Sequence, residues 1–129
     1  MTGAGGGFGR RLARQLAERG AIVACVDVDS GANQRSVDGA IRAAAATGRL
    51  SSKPAALAFQ ANLANREETY KVVKDVEEKL GPVDIVISAA VCFTTYDIGG
   101  FDDDEIDFLI DLNLKSTIWV SIPELPKYA

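Results

Sequence analysis

The chain has 129 residues, 47% hydrophobic and 25% charged, with a net charge of −4. That is globular composition for one domain at most, which excludes a disordered or fibrous chain. The acidic balance, without a Lys/Arg-rich run, argues against a dedicated nucleic-acid or acidic-membrane binder.

There is no His, which removes Ser-His-Asp and Cys-His nucleophile chemistry, HExxH zinc sites and any imidazole acid or base. Catalysis would have to rest on Asp, Glu, Lys, Tyr, Cys or a cofactor. Cys25 and Cys92 are 67 residues apart and form no CxxC pair. Both sit in or beside apolar runs and are expected to be buried free thiols. No stretch approaches the roughly 18 consecutive apolar residues of a spanning helix. The start, Met-Thr-Gly-Ala-Gly, lacks the basic head and apolar core of a secretory signal, and Gly does not follow Met1 directly as N-myristoylation requires. The expectation is a soluble cytoplasmic chain.

In chain order, Gly7 to Arg19 reads as a glycine-opened helix, with Leu12, Ala13, Leu16 and Ala17 at helical spacing and Gly20 as its stop. Ala21 to Val26 is a continuous apolar run, which suits a strand buried on both faces of a parallel sheet. Ser30 is the expected cap of a second helix carrying Val37, Ile41 and Ala44/Ala45 on one face and ending near Gly48. Pro54 precedes a second apolar run, Ala55 to Phe59, and then a turn at Asn62 to Asn65. The third helix is expected from about Arg66 to Leu80, with Tyr70, Val73, Val76 and Leu80 inward and Gly81-Pro82 as its stop. Val83 to Val91 reads as the third strand. A loop with Gly99-Gly100 leads to a last helix from about Asp103, with Ile106, Leu109, Ile110, Asn113 and Leu114 at helical spacing. The alternation of strand and helix with short connections predicts an α/β fold with a parallel sheet.

Thr2-Gly3-Ala4-Gly5-Gly6-Gly7-Phe8-Gly9 matches T-G-x-x-x-G-x-G and a helix follows at once. Such glycines let backbone amides approach a pyrophosphate, and the helix N-terminus offers it free N–H groups and positive dipole. A P-loop does not fit, because Arg10-Arg11 follow Gly9 where Lys and Ser/Thr would be required. Asp27 ends the next apolar run, 18 residues after Gly9. A carboxylate about 20 residues past the motif is placed to hold an adenosine ribose hydroxyl, although a helix cap or loop charge would look the same. It would repel a 2′-phosphate, so NAD is expected ahead of NADP.

With these elements the chain resembles the short-chain dehydrogenase/reductase family from Thr2 to about Lys127. The resemblance implies a Rossmann-like doubly wound parallel sheet, here an incomplete NAD(P)-binding domain over residues 1–129. It implies that Gly3, Gly6, Gly7, Phe8 and Gly9 line the cofactor phosphates and that Asp27 and Val28 flank the adenosine ribose. Asn62-Leu63 falls where the family has an acidic residue beside the adenine; an Asn in a turn explains the residue equally well. Ser88-Ala89-Ala90-Val91 falls where the family reads N-N-A-G. Only Ala90 matches, Ala89 and Ala90 are carried over as cofactor contacts, Ser88 could take part of the sheet-knitting role, and Val91 would crowd the nucleotide. Asn113 resembles the family's active-site Asn, which kinks a helix and binds a water in the proton relay.

Family chemistry rests on a Tyr acid/base, a Lys four residues later and an upstream Ser, with hydride passing to or from nicotinamide. Tyr70-Lys71-Val72-Val73-Lys74 spells Y-x-x-x-K but stands in the helix before the Val83 strand, whereas the family's pair follows the Asn113 helix and a further strand. The expected Ser, Tyr and Lys do not occur after Asn113 within these residues, where Pro123 and Pro126 are expected to break the helix. The family's first strand should run into Thr2-Gly3, between the Ala21 and Val83 strands, and only Met1 precedes them. The acidic run Asp102, Asp103, Asp104, Glu105 and Asp107 is expected to cap a helix rather than hold a metal; the EF-hand spacing does not fit.

The expected function is therefore the cofactor-binding front of an NAD-dependent oxidoreductase that interconverts an alcohol and a carbonyl, without turnover by itself. The alternative is a non-catalytic nucleotide-binding or regulatory module, such as a truncated isoform pairing with a full-length relative. The missing strand also raises the prospect of a chain that does not fold stably. Expected partners are the dinucleotide, a small alcohol or carbonyl in the full-length protein, and a second copy in a homo-oligomer. A membrane-associated full-length form stays open, since some relatives carry an apolar segment ahead of the first strand.

Overall fold

A computed structural model describes residues 1–48, 52–93, 100 and 102–122. Helix α1 (Gly7–Glu18) is followed by strand β1 (Val23–Asp27), helix α2 (Ser30–Ala46), strand β2 (Ala56–Gln60) and helix α3 (Arg66–Leu80). Helix α4 (Asp103–Ile110) runs through a π-helical turn (Asp111–Lys115) into α5 (Ser116–Ser121). β1 and β2 pair in parallel, from Val23 opposite Ala56 to Asp27 opposite Gln60, with α2 as the crossover between them.

Strand alternation distributes the core to two faces. Val23 and Cys25 point to α1 and α2, where they meet Ala13, Ala17, Val37, Ala40 and Ala44. Val26, with Ala24 beside it, points the other way and packs with Phe59, Leu63, Val72 and Val76 of the α3 side. The apolar run of β1 therefore has helices on both faces, as a parallel sheet requires. Gly20, at φ 95°, turns the chain out of α1 so that the Ala21 N–H closes on Leu16 O at 3.1 Å.

Several expectations are corrected. Ser30 is the first residue of α2; the cap is Asp29, whose side chain accepts from Ala32 N at 2.8 Å. A carboxylate one residue earlier reaches the free N–H that Ser30 would have had to reach from inside the helix. Val83 to Val91 forms no ladder strand; within it, Ile87 O accepts the N–H of Thr2 at 2.9 Å. The segment lacks a long extended neighbour on the Met1 side, so a ladder does not develop. Cys92 is half-exposed while Cys25 is buried. Tyr70 is half-buried, and Thr69 and Val72 take the innermost places on α3 with Val73 and Val76. The last helix is not uniform, since a π turn interrupts it at Asn113, and Ile106, Ile110 and Leu114 on it are exposed. Gly99, Pro123 and Pro126 lie outside the described residues.

The acidic run does cap α4: Asp102 accepts from Glu105 N, and the Glu105 carboxylate returns to Asp102 N, closing a capping box. Among the described residues no helix is long and apolar enough to cross a membrane.

Candidate functional site: the glycine loop and the strand ends

The glycine loop lies across the C-terminal ends of two extended segments. Thr2 N donates to Ile87 O on one side, and Ala4 N donates to Val26 O at 3.2 Å on the other. The Thr2 hydroxyl accepts from both Ala89 N and Ala90 N at 3.1 Å. Thr2 is 3% exposed, so these bonds are the knit between the loop and the Ala89-Ala90 segment. The role considered for Ser88 is thus filled by Thr2, and Ser88 itself is exposed.

Two glycines are required by space. A Cβ on Gly9 would lie 2.1 Å from Gly3 O, and a Cβ on Gly3 (φ 65°) would lie 2.5 Å from Ala89 O. Gly7 is different, because nothing stands within 4 Å of an added Cβ there. The first intrahelical bond runs from Arg10 N to Gly6 O at 2.9 Å, which leaves the N–H groups of Gly7, Phe8 and Gly9 without helical acceptors. No side chain caps this end and no acidic residue stands in its first turn. No side chain comes within 4 Å of a Cβ added at Gly6 or Gly7, whereas at Gly5 the Asp27 carboxylate and the Ala32 methyl lie 3.0 Å from one. Phe8 keeps its ring outward, at 72% exposure.

Asp27 closes the loop from the β1 side. Its Oδ2 accepts from Gly5 N at 2.8 Å and its Oδ1 from Asp29 N at 3.0 Å. Each carboxylate oxygen keeps a further lone pair, the acceptor a ribose hydroxyl needs. Val28, next in the chain, is exposed. Gly3, Gly6, Gly7, Gly9, Asp27, Ala89 and Ala90 therefore belong to one connected cradle.

Asn62 and Leu63 follow β2, and the bond from Ala61 N to Asp27 O at 3.2 Å ties the start of this segment to the end of β1. Asn62 Oδ1 accepts from Ala64 N at 3.1 Å, and Asn62 N donates to Glu68. The turn role of Asn62 is thus present, and its carbonyl acceptor is already engaged. Leu63 is a core residue at 4% exposure, so any contact it makes to a ligand is through its backbone.

Asn113 holds the chain after Ala90. Its Oδ1 accepts from Cys92 N at 2.9 Å and its Nδ2 donates to Cys92 O at 2.7 Å. The side-chain amide copies a strand partner for Cys92 from within the π turn. Val91 is exposed, 67%. Tyr70 and Lys74 lie on α3, where Lys71 pairs with Asp75 at 2.6 Å and has its pKa raised by that bond.

Three contributors were not evident from spacing. Arg10 Nη2 donates to Gly5 O at 3.1 Å, which puts a cation beside the loop. The i, i+5 separation gives no periodic signal for it. Asn33, 1% exposed, donates its amide to both Cys25 O and Phe59 O at 2.9 Å and ties β1 to β2 under the site. A lone Asn in a helix carries no sequence mark of that role. Thr2 is the third, and its place in the motif was the available signal. Burial pushes the Cys25 thiol up from 9.0 to about 11 and lowers the Met1 ammonium below its usual 8.0.

The arrangement is a glycine-rich turn that opens a helix at the carboxyl ends of the strands of a parallel α/β fold. A family model described as short chain dehydrogenase matches residues 1–128. The chain belongs to the short-chain dehydrogenase/reductase family. It is 33% identical over 126 residues to epidermal retinol dehydrogenase 2 of Mus musculus, covering 98% of this chain and 38% of that protein. It is 31% identical over 120 residues to galactitol 2-dehydrogenase of Agrobacterium fabrum, covering 93% and 42% respectively. Among solved structures, 3-ketoacyl-(acyl-carrier-protein) reductase of Brucella melitensis complexed with NADH superposes with TM-score 0.80 at 25% identity, covering 98% of this chain and 48% of that one. The chain spans less than half the length of these relatives.

Proposed function

We propose that these residues bind NAD as the cofactor-holding part of an oxidoreductase that moves hydride between an alcohol and a carbonyl. The observation that carries the reading is the bare α1 N-terminus: three N–H groups without helical acceptors, no capping side chain, and Asp27 fixed 2.8 Å from Gly5 N beside them. Gly7, Phe8 and Gly9 would hold the pyrophosphate, with Gly3 and Gly6 giving it room. Asp27 and Val28 would take the adenosine ribose, Asn62 and Leu63 the adenine side, and Ala89 and Ala90 the nicotinamide side. Bound there, the nicotinamide ring supplies the hydride chemistry. Asn113 would position the segment that leads from Ala90 along that ring.

NAD is favoured over NADP because the Asp27 carboxylate would repel a 2′-phosphate. One observation supports the second reading: Arg10 stands beside Gly5 and brings a cation to the same loop. We further propose that the 129 residues bind without turning over, since no Tyr-x-x-x-Lys follows Asn113 in them. Calorimetric titration with NAD and with NADP, paired with an NADH-formation assay on secondary alcohols, sterols and retinol, tests all three statements. Expected are saturable NAD binding, weaker NADP binding and no turnover. Asp27→Ser is expected to weaken NAD about tenfold, as loss of a charge-assisted hydrogen bond, and to narrow the preference over NADP. Absent NAD binding in folded protein would refute the cradle; saturable turnover would refute the inactivity.

A further inference from the structure

Helices α1 and α2 pack through small side chains: Ala13 and Ala17 share one buried cluster with Ala40 and Ala44. Where two helices close in this way, their longer polar side chains meet above the contact. An open groove of about 470 Å³ runs there, lined by Arg10 and Arg14 of α1 and by Arg35, Asp38, Gly39 and Arg42 of α2. Nothing lies within 4 Å of a Cβ added at Gly39, so the middle of the groove is clear. The four arginines are exposed. Each helix contributes a pair, spaced by about 6 Å along α1 and by about 10 Å along α2 at 1.5 Å per residue.

The positive charge of this groove is not balanced from within. Arg14 pairs with Glu18 at 3.0 Å. Among the described residues Arg10, Arg35 and Arg42 form no ion pair. Arg10 donates to Gly5 O, which engages one of the five N–H groups a guanidinium carries. Asp38 is the one carboxylate lining the groove. It stands four residues ahead of Arg42, the spacing and order that favour a helical ion pair, yet its Oδ1 accepts from Gln34 Nε2 at 2.8 Å. The chain as a whole carries −4, whereas α1 and α2 hold five arginines, two carboxylates and no lysine. A cleft of one sign on a protein of the other draws counter-charge to that place.

We propose that the groove is a binding site for a small anion carrying two or more adjacent phosphate groups, held between the Arg10–Arg14 wall and the Arg35–Arg42 wall. Guanidinium forks match phosphate oxygens in pairs. A phosphate presents oxygens to both walls at once, whereas a carboxylate presents a single edge with two. Several phosphates supply the charge that four arginines against one aspartate call for. A flat anionic surface would meet only the tips of the side chains and leave the space above Gly39 unused. The groove is separate from the dinucleotide cradle, and the proposal does not depend on NAD binding.

The test is calorimetric titration of the full chain, without nucleotide, with sodium tripolyphosphate at fixed ionic strength. It is repeated on the double variant Arg35→Gln/Arg42→Gln, on Asp38→Asn and on Gly7→Ala, each checked for folding by circular dichroism. Expected are saturable binding to the unaltered chain, at least about tenfold weaker binding to the double variant, about threefold tighter binding to Asp38→Asn, and unchanged binding to Gly7→Ala. No binding by the folded chain, a double variant that binds as well as the unaltered one, or weaker binding to Asp38→Asn would each overturn the proposal. Loss of binding in Gly7→Ala with the double variant unaffected would overturn it too, by moving the anion to the start of α1. So would sedimentation with phosphatidylserine vesicles in the absence of tripolyphosphate binding, since the arginines would then meet a surface. A separate NAD titration of the double variant is expected to match that of the unaltered chain, so the two readings fail independently.

Discussion

Gly9→Ala places a methyl carbon 2.1 Å from Gly3 O and 2.8 Å from Ala4 Cα. A carbon–oxygen contact tolerates roughly 3.3 Å, so the α1 start and the Gly3 peptide must part by about 1 Å. Both are held: Gly3 is followed by the Ala4–Val26 hydrogen bond and preceded by the Thr2 knit to Ala89 and Ala90. Forcing a methyl into such packing costs about 3 kcal/mol, only partly offset by the better helix propensity of Ala. For a chain of this size that is a fall in Tm of about 10 °C. Gly7→Ala is the control, because the added carbon meets nothing within 4 Å. Its helix gains about 0.5–1 kcal/mol from lost unfolded-state freedom, while its methyl stands where the pyrophosphate is proposed to bind. Thermal unfolding by circular dichroism and NAD calorimetry on both variants separate the effects. Gly9→Ala should lose stability and NAD binding together; Gly7→Ala should keep or raise Tm yet bind NAD about tenfold more weakly. A Gly9→Ala protein with unchanged Tm and affinity would refute the steric reasoning.

Asn33→Ala removes the amide shared by Cys25 O and Phe59 O and should cost about 2 kcal/mol in denaturant unfolding; a change within error would show the tie to be idle. Asn113→Leu removes both bonds to Cys92, at about 1–2 kcal/mol, and should speed amide exchange at Cys92 selectively. Stability should also follow pH. The raised Cys25 pKa makes a contribution present below pH 9 and lost as pH rises through about 11; that two-unit shift corresponds to about 3 kcal/mol. The Met1 ammonium is depressed from 8.0, so the unfolded chain binds the extra proton and stability rises as pH approaches 8. Tm against pH should peak between about 8 and 9, and Cys25→Ala should flatten the alkaline limb; a limb unchanged by the substitution would assign it elsewhere.

Local signals made α1, α2 and α3 legible, because capping, glycine stops and helical spacing act over a few residues. The bounds of α3, Arg66 to Leu80, agree with its spacing reading, with Asn65 accepting from Glu68 N and Gly81 at φ 98°. The segment Val83–Val91 shows the limit. Its β-branched run satisfies every strand preference, yet a ladder needs an extended neighbour along its length, and Thr2 supplies one only at its end. The glycine cradle was legible for a related reason: absent side chains at Gly3 and Gly9 leave a pattern even when the atoms they accommodate are distant in sequence.

The sequence by itself therefore determined the α/β alternation, the family resemblance and the cluster of Gly3, Gly7, Gly9 and Asp27, since each rests on residue type at short spacing. Only the tertiary structure decided what the polar groups bond to. It gave the sheet knit to Thr2 rather than Ser88, engaged Asn62 in a turn, set Asn113 on the backbone of Cys92 and brought Arg10 to Gly5. Hydrogen-bond partners are chosen by distance and direction in the folded chain, and residues up to 88 positions apart, Thr2 and Ala90, meet here to make one bond.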